Sequence, residues 1–215
     1  MEYPAVIHER HRRSRGRMPR PPGLDWMTGA DLSEGVQTMH EVAGYRLRRP
    51  EPTDVPALYV LKNDPGIASM LAGFSTGYSR KDLEEWVETH RVAPDEALFV
   101  IADADDRAIG HVGLYKIDHR VRSAEFAIVI GDRSVWGRGI GRACSRFAIE
   151  YGFGELNLRR ISLRVLETNE RALNLYRSLG FVDEGRLRQA HWQHGTFVDV
   201  LIMGLLIEDY RRDGP

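Results

Sequence analysis

From residue 45 onward the apolar residues keep two rhythms, a period of two in short runs and a period near 3.6 in longer ones. Tyr45, Leu47 and Arg49 step as a short strand. Thr53 then stands as N-cap to a helix carrying Val55, Leu58, Val60 and Leu61, stopped by Asp64-Pro65. A short helical piece at residues 67–71 runs into a loop with Gly73, Ser75, Thr76 and Gly77. Ser79 with Asp82 three places on has capping-box spacing and predicts a helix through Trp86 to His90. Residues 97–102 form an apolar strand, 103–107 a turn, 108–117 the second arm of a hairpin and 122–130 a third strand. After a helix that starts near Ile140, residues 160–166 alternate as the next strand. Residues 169–179 are helical and stop at Gly180, and residues 181–187 and 197–206 complete the sheet. Strands alternating with helices in this order predict an α/β (α+β) fold, a mixed central sheet flanked by helices.

Residues 1–43 lack this periodicity. Arg10, Arg12, Arg13, Arg15, Arg17 and Arg20 crowd ahead of a Pro- and Gly-rich stretch, so the segment reads as a basic extension to a domain spanning 44–215. Through that arm alone is contact with nucleic acid or an acidic partner expected, because the net charge is only −1 over 215 residues. The length suits one well-cored domain. No apolar run is long enough to cross a membrane and none at the start has signal-peptide length, so a cytoplasmic protein is expected. The lone Cys144 cannot form an internal disulfide, and its place on an apolar helix stripe marks it as core rather than nucleophile. His8 and His11 stand too far from other ligands to suggest a metal, and none is expected.

The chemistry begins at residues 133–151. An apolar strand leads through Gly137, Gly139 and Gly141 into a helix whose Ile140, Ala143, Cys144, Phe147, Ala148 and Tyr151 repeat as a buried stripe. Glycines let backbone amides approach a bulky ligand, and the first amides of the helix lack internal partners, so a phosphate is favoured there. Arg138, Arg142 and Arg146 recur at four-residue steps and would line one face. The lysine and Ser/Thr of a Walker loop are missing after Gly141, and the third glycine of a dinucleotide fingerprint is missing too. On this stretch alone, a Gly-rich turn with a solvated arginine face stays open. A second segment, residues 169–181, sets Asn169 and Tyr176 seven positions apart on a helix, roughly 10 Å of rise, with small Ala172 between them.

Together, Gly-Arg-Gly-Ile-Gly-Arg and Asn-x-x-Ala-x-x-x-Tyr-x-x-x-Gly-Phe resemble the GNAT superfamily of acetyl-CoA-dependent N-acetyltransferases, over about residues 44–206. Trp136 departs from the usual Gln or Arg at the loop start. An aromatic there is similar to the branch with ribosomal-protein N-terminal, spermidine and amino-sugar acetyltransferases. The resemblance implies a sheet of six to seven strands splayed at the acetyl-CoA site. It implies that Ile128, Val129 and Ile130 pair with the pantetheine, that Arg138, Gly139, Ile140, Gly141 and Arg142 hold the pyrophosphate, and that Asn169, Ala172 and Arg177 complete the cofactor site. Dimerisation is expected from it as well.

An alkylamine attacks a thioester only when neutral, and its ordinary pKa is near 10.4, so a base is needed. Glu125, at the start of the strand leading to the thioester, is the first choice and His111 on the neighbouring strand the second. Tyr176 is set to protonate the leaving thiolate, and strand amides to hold the oxyanion. The acceptor is expected to be a small-molecule amine, a polyamine, amino sugar or aminoglycoside-like compound, in a pocket walled by His191, Trp192 and His194. Loop 73–81 has no acid, and Glu84, Glu85 and Glu88 fall on one solvated helix face. A protein N-terminus as acceptor, and a non-catalytic acyl-CoA-binding module, are the alternatives.

Overall fold

The computed structural model describes residues 39–71 and 77–212, with the side chains of residues 211 and 212 excluded. The predicted basic extension therefore lies almost wholly outside the described residues, as does most of the loop from Gly73. Within the extension's expected span, however, β1 (His40–Val42) already pairs with β2 (Tyr45–Arg48), so regular structure begins before residue 44.

Among the described residues eight strands form one sheet, slightly more than the six to seven expected. They are β1, β2, β3 (Ala97–Ala102), β4 (Ala108–Asp118), β5 (Ser123–Ile130), β6 (Arg160–Leu166), β7 (Val182–Gln193) and β8 (Thr196–Leu206), in the order β1-β2-β3-β4-β5-β6-β8-β7. Among the described residues β5 and β6 are the one neighbouring pair that runs parallel, and the crossover between them carries α4 (Ile140–Gly154).

Two cores cover the two faces. On one face, α4 and α5 (Glu170–Ser178) pack Cys144, Phe147, Leu173 and Tyr176 against Ala124, Phe126, Ile161 and Leu163. The other face carries a smaller cluster, in which α1 (Val55–Lys62) and α3 (Arg80–Val92) bury Val55, Leu58, Leu83 and Val87 beside Trp86. Cys144 is fully buried and its thiol is pushed up to about 12 by burial, consistent with a packing role. Short α2 (Pro65–Ala68) follows α1, and α6 (Ile207–Arg212), which the apolar pattern did not suggest, is the last of the described elements.

Local chemistry matches the sequence signals unevenly. Ser79 and Asp82 form both bonds of the capping box, and Gly180 adopts φ +91 beyond α5. Thr53, by contrast, lies inside a 3-10 turn (Pro52–Asp54), and Val60 faces solvent. Asp54 turns inward instead, where Arg48 grips both its carboxylate oxygens at 2.9 and 2.8 Å. Arg48 also bonds Asp106 at 2.9 Å, so one buried guanidinium ties β2 to the turn before α1 and to the β3–β4 turn.

Candidate active site

The site exists because the parallel pair separates. Register between β5 and β6 runs from Ser123 opposite Arg160 to Glu125 opposite Ser162 and stops. Beyond it β5 stays paired with β4 as far as Ile130, and β6 with β8 as far as Leu166. Each strand keeps its outer partner, so residues 126–129 turn an edge without a strand partner into the gap. A cavity of about 520 Å³ fills the wedge, lined by this edge, by the glycine loop, by α5 and by α1 and α2.

The loop reaches the cavity through left-handed backbone. Gly137 and Gly139 have φ +77 and +82, conformations that L side chains rarely adopt, and they aim the start of α4 at the gap. No side chain caps α4, whose first amides are thus left to a ligand. Ile140, Gly139, Gly141 and Arg142 line the cavity, as do Ile128, Val129 and Ile130. Arg142 also donates to the Ser178 carbonyl at 3.2 Å. Arg138 and Arg146 are not among the lining residues, so the four-residue arginine step does not make a continuous face here. Trp136 braces the loop from within, since its Nε1 donates to the Ile130 carbonyl at 3.1 Å and Arg171 lies over its ring at 4.4 Å.

On α5, Asn169, Ala172 and Tyr176 all line the cavity. Asn169 is the N-cap, accepting from the Ala172 amide at 3.1 Å and donating to the Met70 carbonyl at 3.0 Å, so it also anchors the segment after α2. Arg177 points elsewhere, paired with Asp183 at 2.8 Å. Tyr176 is buried against Phe126 and Phe181, and burial pushes its phenol up to about 12. The hydroxyl therefore stays protonated at neutral pH, a donor rather than an ordinary phenol matched to a thiol.

The two base candidates have different surroundings. Glu125 is ion-paired with Lys116 at 2.9 Å and is not a lining residue. His111 does line the cavity; it is buried, with Nδ1 3.4 Å from the Tyr115 hydroxyl and Nε2 without a partner among the described residues. Burial first, then the charges of Lys62 and His90, hold its pKa well below 6.5, so the imidazole is neutral at pH 7. Sequence reasoning missed Lys62 and Arg164, both in the cavity wall. Lys62 lies over the Trp86 ring at 4.2 Å and is brought down to about 8 by burial. No periodicity distinguishes it from any helix-end lysine.

The expected wall of His191, Trp192 and His194 does not form: none of the three lines the cavity, and Trp192 is exposed against Phe197 on the last hairpin. Glu84, Glu85 and Glu88 are solvent-facing, as expected. Among the described residues no group of His, Cys, Asp or Glu could hold a metal, and no helix is long and apolar enough to cross a membrane.

An unpaired parallel-strand edge beside uncapped helix amides suits an extended ligand with a peptide-like chain and a pyrophosphate, the donor set for an acyl-CoA. The protein is thus an acyl-CoA-type transferase by fold and site. Residues 45–182 match the acetyltransferase (GNAT) domain family, and the chain belongs to that family, whose members take the acetyl group from acetyl-CoA. It is 36% identical over 165 residues to a spermidine N(1)-acetyltransferase of Vibrio cholerae, covering 76% of this chain and 94% of that one. The spermidine N(1)-acetyltransferase of Escherichia coli K12 is 31% identical over 166 residues, covering 77% and 87%. The crystal structure of spermidine N-acetyltransferase from Vibrio cholerae in complex with CoA and spermine superposes with TM-score 0.72 at 34% identity, covering 79% and 99%. The protein is an acetyl-CoA-dependent N-acetyltransferase.

Proposed function

We propose that the chain acetylates a primary amine of a small molecule by direct attack on the thioester of acetyl-CoA, with His111 as base and Tyr176 as donor to the leaving sulfur. The observation that carries this reading is that both side chains line one cavity from opposite faces of the sheet. With Nδ1–H donating to the Tyr115 hydroxyl oxygen, neutral His111 presents a lone pair at Nε2 that takes the ammonium proton directly or through a water. Glu125 shares its face, but its ion pair with Lys116 makes it the weaker choice. Backbone amides on the gap-facing edge of β5 would donate to the thioester carbonyl, where charge develops. Tyr176 donates to the sulfur as the bond breaks, which lowers the cost of expelling a thiolate. Asn169, Ala172, the glycine loop and Arg142 support the CoA reading by their place in the wall.

Spermidine belongs among the amines to test, because two relatives are spermidine N(1)-acetyltransferases. The test is thiol release from acetyl-CoA with spermidine, an amino sugar, an aminoglycoside and a peptide N-terminus, each product read by mass. Acetylation of at least one small amine is expected. Turnover with the peptide alone would overturn the small-molecule reading, and no release with any amine would overturn the reading as a whole.

A further inference from the structure

We propose that the acceptor amine carries an anionic group, a carboxylate or a phosphate, which Lys62 and Arg164 hold while His111 takes the amine proton. This rests on the small-molecule transferase reading above and narrows its substrate class.

The cross-strand pairs sort the cavity into two sides. Tyr115 lies opposite Glu125 and Glu125 opposite Ser162, while His111 lies opposite Val129, so His111, Glu125, Ser162 and, two residues on, Arg164 share one face of the sheet. That face is the one under α1 and α3, as the approach of Trp86 to His111 at 5.3 Å confirms. Phe126, Leu163 and Val165 take the other face, under α4 and α5. The cations of the α4–α5 side, Arg142 and Arg171, stand beside the glycine loop and Trp136, where CoA phosphates are expected. Lys62 and Arg164 line the cavity from the other side, that of the face carrying His111; Lys62 is near enough for its charge to act on the imidazole, and the glycine loop where CoA phosphates are expected is on the opposite side.

Among the described residues no Asp or Glu lines the cavity, and the sequence of residues 72–76, Ala-Gly-Phe-Ser-Thr, contains none. Acids elsewhere on that side do not line the cavity: Glu125 is paired with Lys116, Asp64 with Arg133, and Glu96 lies 3.6 Å from His90. Lys62 has two aromatic rings and no carboxylate among the described residues, although the burial around it disfavours its charge. An unbalanced, partly buried ammonium is favoured when the ligand brings the missing anion, and a polycationic acceptor would instead meet repulsion from both side chains.

The experiment is a comparison of kcat/KM for matched amines with the full chain: phosphoethanolamine against ethanolamine, β-alanine against its amide, and spermidine alongside. At least one acid-bearing amine is expected to exceed its neutral partner by ~10-fold or more, and the pair that shows it tells phosphate from carboxylate. Lys62→Met and Arg164→Gln are each expected to collapse that ratio, mainly through KM of the acid-bearing amine. Ratios near one, ratios unchanged in both variants, or a preference for spermidine over every other amine would overturn the anion assignment and leave the transferase reading intact. No release of CoA with any of these amines would overturn both.

Discussion

Replacing His111 by glutamine keeps a polar group of similar reach while removing the capacity to take a proton. A positioned general base contributes about 10²–10⁴ in rate, or about 3–5 kcal/mol at about 1.4 kcal/mol per tenfold. In this protein the imidazole is in its proton-accepting form at pH 7, and its lowered pKa sets the effect toward the low end of that range. Burial, Lys62 and His90 keep the imidazole neutral, and Nε2 has no competing partner among the described residues. Turnover of His111→Gln with saturating acetyl-CoA is thus expected to fall ~10²-fold or more at pH 7, and to recover as rising pH deprotonates the amine in solution. The wild-type profile should show no acid limb at the ordinary histidine value, since the limb moves with the lowered pKa. Thiol release measured from about pH 5.5 to about 9, with circular dichroism to verify folding, tests both points. A variant within about threefold of wild type at pH 7 would refute His111 as base. Stability supplies an independent check with a definite sign. The unfolded chain protonates His111 near 6.5 and the folded chain only at lower pH, so the residue's contribution is complete above about 6.5 and is lost as pH falls, with a slope of up to about 1.4 kcal/mol per pH unit. Glutamine should flatten that slope in part, because burial lowers His40 in the same direction.

Tyr176→Phe removes only the hydroxyl from a buried ring, so turnover should drop ~10²-fold or more while the Kd for CoA by calorimetry stays within a small factor. Gly139→Ala meets no atom within 4 Å, so its cost is purely conformational; holding φ +82 with a Cβ takes about 1 kcal/mol, and KM for acetyl-CoA should rise roughly fivefold with kcat nearly unchanged. Arg48→Met leaves Asp54 charged and buried, and denaturant unfolding should show a loss of about 3–5 kcal/mol.

Much of the architecture was legible because local signals and tertiary demands agree. Residues 97–102 and 160–166 alternate or run apolar between turn residues, and both became strands with those bounds. The Ser79 and Asp82 box formed because its partners are only three residues apart. Where chain-distant partners decided, local reading failed. Thr53 lost its capping place because Asp54 has Arg48 to meet inside the fold, and β1 was missed because three residues gain strand structure only from pairing with β2.

The site divides along the same line. Gly139, Gly141, Asn169, Ala172 and Tyr176 could be placed from the linear pattern, since positive φ, helix starts and seven-residue helical spacing are encoded within one turn or two of chain. Which polar groups share the cavity could not, because strand order and pleat set that. Arg177 turned to Asp183, Glu125 to Lys116, and the last hairpin away from the cavity. Lys62, His111 and Arg164 come from three separate stretches of the chain, and only the parting of β5 from β6 under α1 puts them in one wall. Linear order determines what each segment can become; the neighbours it acquires across the sheet determine which of its side chains find solvent, an ion pair or the cavity.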